Sequence, residues 1–204
     1  MMYATDVDLY TAATNGESEK VVRYLAEGAN VNCASAEGNN TPLHAAARSG
    51  HLQVVQVLLD QRASIDAVNN KNNTPLHLAA LSGHLQVVQE LLDRRASVDA
   101  VNNKNYTPLH LSALKGHLQV VQELLDHGAS VDAVNNKNYT PLQLATQNSH
   151  EQVVATLLAA RGAERSIALV QVHERAVELL LFRSSASLTS SSIDRSWCTR
   201  NRST

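Results

Sequence analysis

The sequence predicts an all-α solenoid of about five stacked helix-turn-helix units with short hairpin loops, followed by a C-terminal helix and a flexible tail. The phrase Thr-Pro-Leu-His starts at residues 41, 74 and 107, and returns at 140 with Gln as its last residue. Its threonines are 33 residues apart, and residues 74–106 match residues 107–139 at 29 of 33 positions. A fixed period of this length indicates stacked repeats. Aromatic residues make up only 3% of the chain, so we expect a core of Leu, Val and Ala.

The first helix of each unit is predicted from its ends. In the unit that begins at Thr74, a Thr followed by Pro75 suits the N-cap and first positions of a helix, because the hydroxyl accepts an orphan backbone N–H and proline lacks that donor. The helix runs through Leu81. It ends at Ser82 and Gly83, because glycine accepts the left-handed conformation that follows a helix end.

The second helix of the same unit is predicted over residues 84–92. Val88, Leu91 and Leu92 share one face at i, i+3 and i+4, and the residues turned outward are Gln86, Gln89 and Glu90. The polar, Asn-rich residues 98–105 predict a turn or hairpin. Neither helix reaches the roughly 12–15 residues that an isolated helix needs in water, so the units must stack.

Together these features resemble the ankyrin repeat, whose 33-residue unit carries Thr-Pro-Leu-His-x-Ala near its first helix. The resemblance covers about residues 5–165. It predicts an N-terminal capping repeat over residues 1–38, which lacks Thr-Pro, and four repeats over 39–165, at 39–71, 72–104, 105–137 and 138–165. It implies a non-enzymatic module that binds a partner protein through a concave face of hairpin tips and first helices.

The chain departs from the family pattern at two places. Two residues before the Thr the family usually has Gly, and here Asn stands at 72, 105 and 138; Asn tolerates a positive φ best after glycine. After the second helix the family's Gly is kept at 28, 128 and 162, but Arg62 and Arg95 replace it. If the backbone stays left-handed there, each Arg costs roughly 1 kcal/mol relative to Gly.

The candidate binding residues lie on the predicted concave face. They are Arg48, Lys71, Asn73, Leu81, Lys104, Tyr106, Leu114, Lys115, Lys137, Tyr139 and Gln147. Tyrosine offers a large amphipathic contact area and is favoured in protein interfaces. The lysines at 71, 104 and 137 favour an acidic partner surface; the alternative, that they are only solvated tip residues, stays open because lysine favours exposed positions.

No pattern predicts a metal, cofactor or catalytic site. Histidines recur in pairs seven residues apart, at 44/51, 77/84 and 110/117, but a helix end separates each pair and no carboxylate or thiol completes a ligand set. The ankyrin resemblance implies that the first histidine of each pair is structural, hydrogen-bonding near the preceding turn and the Thr. Ser82, His84 and Asp99 have the residue types of a hydrolase triad, yet near-identical repeats would imply several copies of such a triad, so we interpret these residues as solvated polar positions.

We expect a cytoplasmic monomer that binds neither nucleic acid nor membrane. The formal net charge is −2 and the pI about 6.5, so no global attraction to anionic partners is expected. Acidic residues at 6 and 8 stand where a secretory signal would have basic ones, and no run approaches the length of a membrane span. Cys33 and Cys198 are interpreted as reduced thiols.

The C-terminal part is the least patterned. Residues 166–183 have apolar positions at helical spacing and predict a capping helix, and residues 184–204 are Ser-rich with scattered Arg, typical of a flexible tail. Two alternative functions stay open. One is an adaptor whose tail recruits ubiquitin-ligase or kinase machinery. The other is a host-directed effector of an intracellular bacterium, since near-identical repeats also occur in such ankyrin proteins.

Overall fold

The computed structural model of the protein describes residues 4–162. Met1–Ala160 form one compact unit, and the nine helices named next lie within it. They are α1 (Ala4–Asn15), α2 (Ser18–Ala26), α3 (Pro42–Ser49), α4 (Leu52–Asp60), α5 (Pro75–Ser82), α6 (Leu85–Asp93), α7 (Pro108–Lys115), α8 (Leu118–Asp126) and α9 (Pro141–Gln147). Residues 151–162 are helical as well (α10). The predicted capping helix at 166–183 and tail at 184–204 lie outside the described residues.

The helices form five successive pairs, which confirms the predicted all-α repeat fold. Each first helix packs on the next first helix, in the order α1, α3, α5, α7, α9, and the second helices α2, α4, α6 and α8 pack in the same order. Within residues 4–162 there is no β-strand, and no helix is long and apolar enough to cross a membrane.

The core runs through the stack and consists of aliphatic side chains, as the composition predicted. Its largest fully buried apolar side chains are Leu9, Leu43, Leu58, Leu76, Leu91, Leu109, Leu124 and Leu157. Alanines at the first-helix contacts, such as Ala46, Ala79 and Ala113, are also fully buried and let the helices approach closely. No Phe, Trp or Tyr belongs to this buried set in the described part of the chain.

Each Thr-Pro-Leu-His phrase opens its helix through a reciprocal capping box. In α5 the Thr74 hydroxyl accepts the backbone N–H of His77, while His77 Nδ1 accepts the backbone N–H of Thr74 at 3.2 Å. Pro75 fills the first helical position, and Gly83 ends the helix at φ 79°, as predicted. The unit that begins at Thr140 forms the same box with the Oε1 atom of Gln143 as acceptor.

The second histidine of each pair joins one unit to the unit before it. His84 Nε2 donates a hydrogen bond to the Arg48 carbonyl at 3.0 Å, and its ring lies against Gly50, where an added Cβ would be 2.6 Å from His84 Nδ1. Glycine is therefore required there for space as well as for its positive φ. The same bond recurs from His51 to Thr14, from His117 to Leu81 and from His150 to Leu114.

Polar residues of the second helices also pair between units. Gln89 donates to Glu123 at 2.7 Å, and Gln56 donates to Glu90 at 2.9 Å. The prediction that these helices turn three polar residues outward is confirmed for Gln86, which is exposed, but Gln89 and Glu90 are half-buried. Neighbouring second helices place matching side chains within reach, which the pattern of a single helix does not reveal.

The buried thiol of Cys33 is free, in agreement with its interpretation as reduced. Burial, with the charge of Asp6 as a second cause, raises the pKa of the Cys33 thiol to about 11. The thiol therefore stays protonated at neutral pH and is a poor nucleophile. Cys198 lies outside the described residues.

Positive φ angles occur where the sequence departs from the family pattern. Asn72, Asn105 and Asn138 have φ of 55°, 54° and 59°, and Arg62 and Arg95 have φ of 62° and 67°. The corresponding Gly128 has φ 80°, and an added Cβ there would meet no atom within 4 Å. Arg at this position therefore carries a backbone penalty without a steric clash.

Exchanging these residues tests that penalty. We expect Arg95→Gly to raise the free energy of unfolding by about 1 kcal/mol. The Cβ of Arg makes the left-handed conformation unfavourable, whereas Gly adopts this conformation without strain. Gly128→Arg, in a unit that differs at only four positions, should lower it by a similar amount. Urea unfolding followed by circular dichroism measures both changes. Equal stability of the two variants and the parent chain would contradict the assignment of strain.

Candidate functional site

The predicted binding residues occupy two kinds of position. Lys71, Asn73, Lys104, Tyr106, Lys137 and Tyr139 lie on the loops that lead into α5, α7 and α9, and Arg48, Leu81, Leu114, Lys115 and Gln147 lie at the ends of first helices. We call the loops 67–73, 100–106 and 133–139, with the ends of α3, α5, α7 and α9, the tip face. The charged members and Gln147 are exposed, whereas Asn73, the two tyrosines and the two leucines are half-buried.

Each loop holds its lysine by a local asparagine turn. Asn102 Oδ1 accepts the backbone N–H of Lys104 at 2.9 Å and that of Tyr106 at 3.1 Å. The positive φ of Asn105 lets the chain close this turn. Asn69 and Asn135 hold the neighbouring loops in the same way.

Successive loops are also tied to each other. The backbone N–H of Asn103 donates to the Lys71 carbonyl and its side-chain amide donates to the Asn70 carbonyl, both at 3.1 Å. Asn136 makes the same two bonds to the carbonyls of Lys104 and Asn103. Hydrogen bonds between units therefore hold these loops in place.

A cleft of about 440 Å³ opens on the tip face between the third and fourth units. Five predicted residues line it, namely Lys71, Asn73, Lys104, Tyr106 and Leu114. It does not include the other six, Arg48, Leu81, Lys115, Lys137, Tyr139 and Gln147. The sequence reasoning missed three lining residues, Asn102, Asn103 and Leu111. Leu111 follows the Thr-Pro-Leu-His phrase and is 8% exposed, so its pattern marks it as core.

Tyr106 is the aromatic wall of this cleft. Its ring centroid lies 5.6 Å from that of His110, tilted by 60°. Its backbone carbonyl accepts a hydrogen bond from Nε2 of His77 at 2.9 Å. The side chain therefore stands on a loop that the preceding unit holds in place.

Tyr106 also interrupts a ladder of asparagine side chains. Asn69 Nδ2 donates to Asn40 Oδ1 at 2.8 Å, and Asn102 Nδ2 donates to Asn73 Oδ1 at 2.9 Å. One unit later the acceptor position is Tyr106, and Asn135 Nδ2 is buried without a hydrogen-bond partner among the described residues. A buried unsatisfied polar group costs about 1–3 kcal/mol.

The lysines of the tip face give it a net positive charge, because acidic residues are absent from its segments. Segments 67–83, 100–116 and 133–149 contain four lysines and no acidic residue. Because the formal net charge of the whole chain is −2, the remaining residues together carry −6. The acidic residues nearest in sequence are Asp66, Asp99 and Asp132. Asp66 and Asp99 accept backbone N–H groups of the following unit, at Ser97 and Ser130.

A row of exposed valines was missed at the sequence level. Val68, Val101 and Val134 are 48%, 52% and 51% exposed and stand three residues before the loop lysines. Their 33-residue recurrence within a polar stretch is the signal that could have revealed them. The tip face therefore alternates an apolar row with a cationic row.

The first histidines of the pairs are structural, as the resemblance implied. His44, His77 and His110 are fully buried, with Nδ1 facing a threonine N–H and Nε2 bonded to a carbonyl of the next unit. Burial lowers their pKa values, and it lowers that of His77 to about 4. Each imidazole is therefore neutral, with its proton on Nε2.

Two of the three residues that have the types of a hydrolase triad bond to other units of the stack. His84 Nε2 bonds to the Arg48 carbonyl, and Asp99 Oδ1 accepts the backbone N–H of Ser130, so these two residues join different units. They are structural, not merely solvated as predicted. No group of three or more His, Cys, Asp or Glu side chains in the described residues could hold a metal ion.

Comparison with known protein families finds a match over most of the chain. A family model described as ankyrin repeats, in three copies, matches residues 9–102 and 94–168. The matched residues include every unit of the stack and the whole tip face.

The buried histidines make stability depend on pH. Their folded pKa lies below the unfolded value of about 6.5, so the unfolded chain binds more protons and the free energy of unfolding falls as pH drops below 6.5. At pH 5 the loss from His77 is about 2 kcal/mol for a folded pKa of about 4. Urea unfolding between pH 7 and pH 5 measures it.

A matched control is available because Gln143 already forms the capping box. His77→Gln should remove the part of the pH dependence of stability that His77 causes, about 2 kcal/mol at pH 5. At pH 7 it should lower stability by about 1 kcal/mol through the lost bond to the Tyr106 carbonyl. An unchanged pH dependence in the variant would contradict this assignment.

Restoring the asparagine ladder should stabilise the chain. In Tyr106→Asn the new Oδ1 can accept Asn135 Nδ2, as Asn73 does for Asn102, and we expect the free energy of unfolding to rise by about 1–3 kcal/mol. Tyr106→Phe is the control, because it keeps the ring and offers no acceptor. The interpretation fails if Asn and Phe variants have the same stability in urea.

Proposed function

The chain belongs to the ankyrin-repeat family, and we propose that it is a non-enzymatic module that binds a partner protein through its tip face. Ankyrin repeats are generally protein–protein interaction modules. The observation that carries the choice of face is the cleft in which Lys71 and Asn73 of one loop meet Lys104, Tyr106 and Leu114 of the next unit. Residues from two units line one site.

The proposed face has the properties of a preorganised interface. Its loops are fixed by asparagine turns and by bonds between units, so little order needs to be gained on binding. Tyr106 supplies an aromatic anchor beside an apolar floor of Leu111 and Leu114. The lysines form a polar rim, and their charge favours a partner with an acidic surface.

Tyr106 gives a further argument for function at this place. The residue costs the chain a buried hydrogen bond that asparagine supplies in the two preceding units. Departures from a locally consistent pattern are expected at functional or strained sites. A tyrosine retained against stability is explained by what it contacts outside the chain.

The test uses the full-length chain as bait in a quantitative interaction screen. The triple variant Tyr106→Ala, Leu114→Ala, Tyr139→Ala should weaken partner capture at least tenfold, because buried aromatic and aliphatic anchors carry most of an interface's affinity. The matched control is Gln53→Ala, Gln86→Ala, Gln119→Ala, which changes three exposed residues of the second helices. Equal capture by the two triple variants would refute the tip face as the binding surface.

A further inference from the structure

We propose that the tip face binds an extended acidic segment of its partner, in polyproline II conformation, with a carboxylate at every third residue. The lysines at 71, 104 and 137 receive the carboxylates, and one apolar side chain enters the cleft beside Tyr106. This inference rests on the proposed function, because it names the chemistry of the partner that the same face would recognise.

The charge of the partner follows from the lysine row. The ammonium groups of Lys71, Lys104 and Lys137 make no ion pair within 4 Å with another described residue, although exposed ion pairs occur elsewhere, for example between Arg94 and Asp60 at 2.8 Å. The three lysines stand at equivalent positions of loops held by the same hydrogen bonds. Three ammonium groups at equivalent positions, none of them in an ion pair with a described residue, are suited to bind three carboxylates of one segment.

The spacing of the carboxylates follows from the stack. Packed helices lie about 8–10 Å apart, so equivalent lysines on successive units are separated by about this distance. A polyproline II chain has three residues per turn and rises about 3.1 Å per residue, so every third side chain returns to the same face after about 9 Å. A β-strand alternates its side chains, so its residues i and i+3 would point to opposite faces.

The size of the cleft favours an extended segment over a helix. Its volume of about 440 Å³ lies at the lower end of small-molecule sites, whereas a helix with its side chains is about 10–12 Å across. Between two lysines the walls are Tyr106, Leu111 and Leu114. These walls accept one apolar side chain flanked by carboxylates.

The row of valines accounts for the residues between the carboxylates. Val68, Val101 and Val134 are about half exposed on the loops that carry the lysines. Apolar residues of the segment, proline among them, can cover these valines while the acidic residues reach the lysines. Glu37, exposed on the loop that precedes the first lysine loop, repels a longer acidic segment. The segment is therefore about seven residues long.

The probe is a fluorescein-labelled nine-residue peptide, three copies of Glu-Pro-Leu, titrated with the full-length chain and read by fluorescence anisotropy at about 50 mM salt. We expect saturable binding that weakens as salt is added. An isomer with its three Glu consecutive should bind at least fivefold more weakly, and a version with Gln for Glu at least tenfold more weakly.

Substitutions on the protein locate the site. Lys104→Gln should weaken peptide binding about threefold to fivefold, the upper range for one exposed ion pair. Tyr106→Asn should weaken it about tenfold without loss of folded structure by circular dichroism. Lys20→Gln, which removes a lysine paired with Glu17 on α2, should leave the affinity unchanged.

Several results would overturn the inference. Equal binding of the isomer would show general charge attraction without spacing. Tighter binding of a helical peptide with Glu at every seventh residue, or of single-stranded DNA at the same salt, would assign the face to another ligand. If no peptide binds while the tyrosine and leucine variants still lose their partners in the screen, the inference falls and the proposed function stands.

Discussion

The repeat interfaces depend on the hydrogen bonds of the buried histidine near the start of α3, α5 and α7. In His77 one ring nitrogen accepts the N–H of Thr74 and the other donates to the Tyr106 carbonyl, so a single side chain caps its own helix and holds the next loop. Because both bonds need a neutral ring, burial and the fixed tautomer support each other. The loops that carry the candidate site are positioned by the same bonds that stack the units.

Two residues that depart from the repeat pattern, Arg95 and Tyr106, both lower stability but lie at different places in the structure. Arg95 occupies a left-handed position where Gly128 is found one unit later, with no clash and no bond to account for it, so it weakens the chain locally. Tyr106 also weakens the chain, by leaving Asn135 Nδ2 unsatisfied, but it does so on the wall of a cleft. The first departure lies outside the cleft, whereas the second lies within it, and this difference supports the proposed binding role of the tyrosine.

The sequence predicts most of what a single unit determines. Local rules of capping and turns predict that a helix starts after Thr74 and ends at Gly83, and that Asn105 is left-handed. The structure confirms all three. Contacts between units are harder to predict. Half-burial of Gln89, the exposure of Val101 and the orphan amide of Asn135 each depend on which residue the neighbouring unit places opposite.

The candidate site was therefore predicted only in part. Lys71 and Tyr106 were found because tips and first helices of such stacks are known to share a face, but the cleft between them required the geometry of two loops. Leu111 could not be distinguished from core leucines, because its backbone position is that of a core residue and only its outer edge reaches the cleft.

Near-identical units raise a problem of register for any partner that follows the lysine row. Loops with the same lysine would let an acidic segment slip by one unit, because the charges coincide after each step. The residues that differ between units remove this degeneracy: Tyr106 faces the cleft where the preceding unit has Asn73, and Leu114 becomes Gln147 in the following unit. The cleft between the third and fourth units combines two lysines with Tyr106 and Leu114. For the proposed acidic segment, the repeated lysines would therefore supply the attraction and the few differences between units would supply the register.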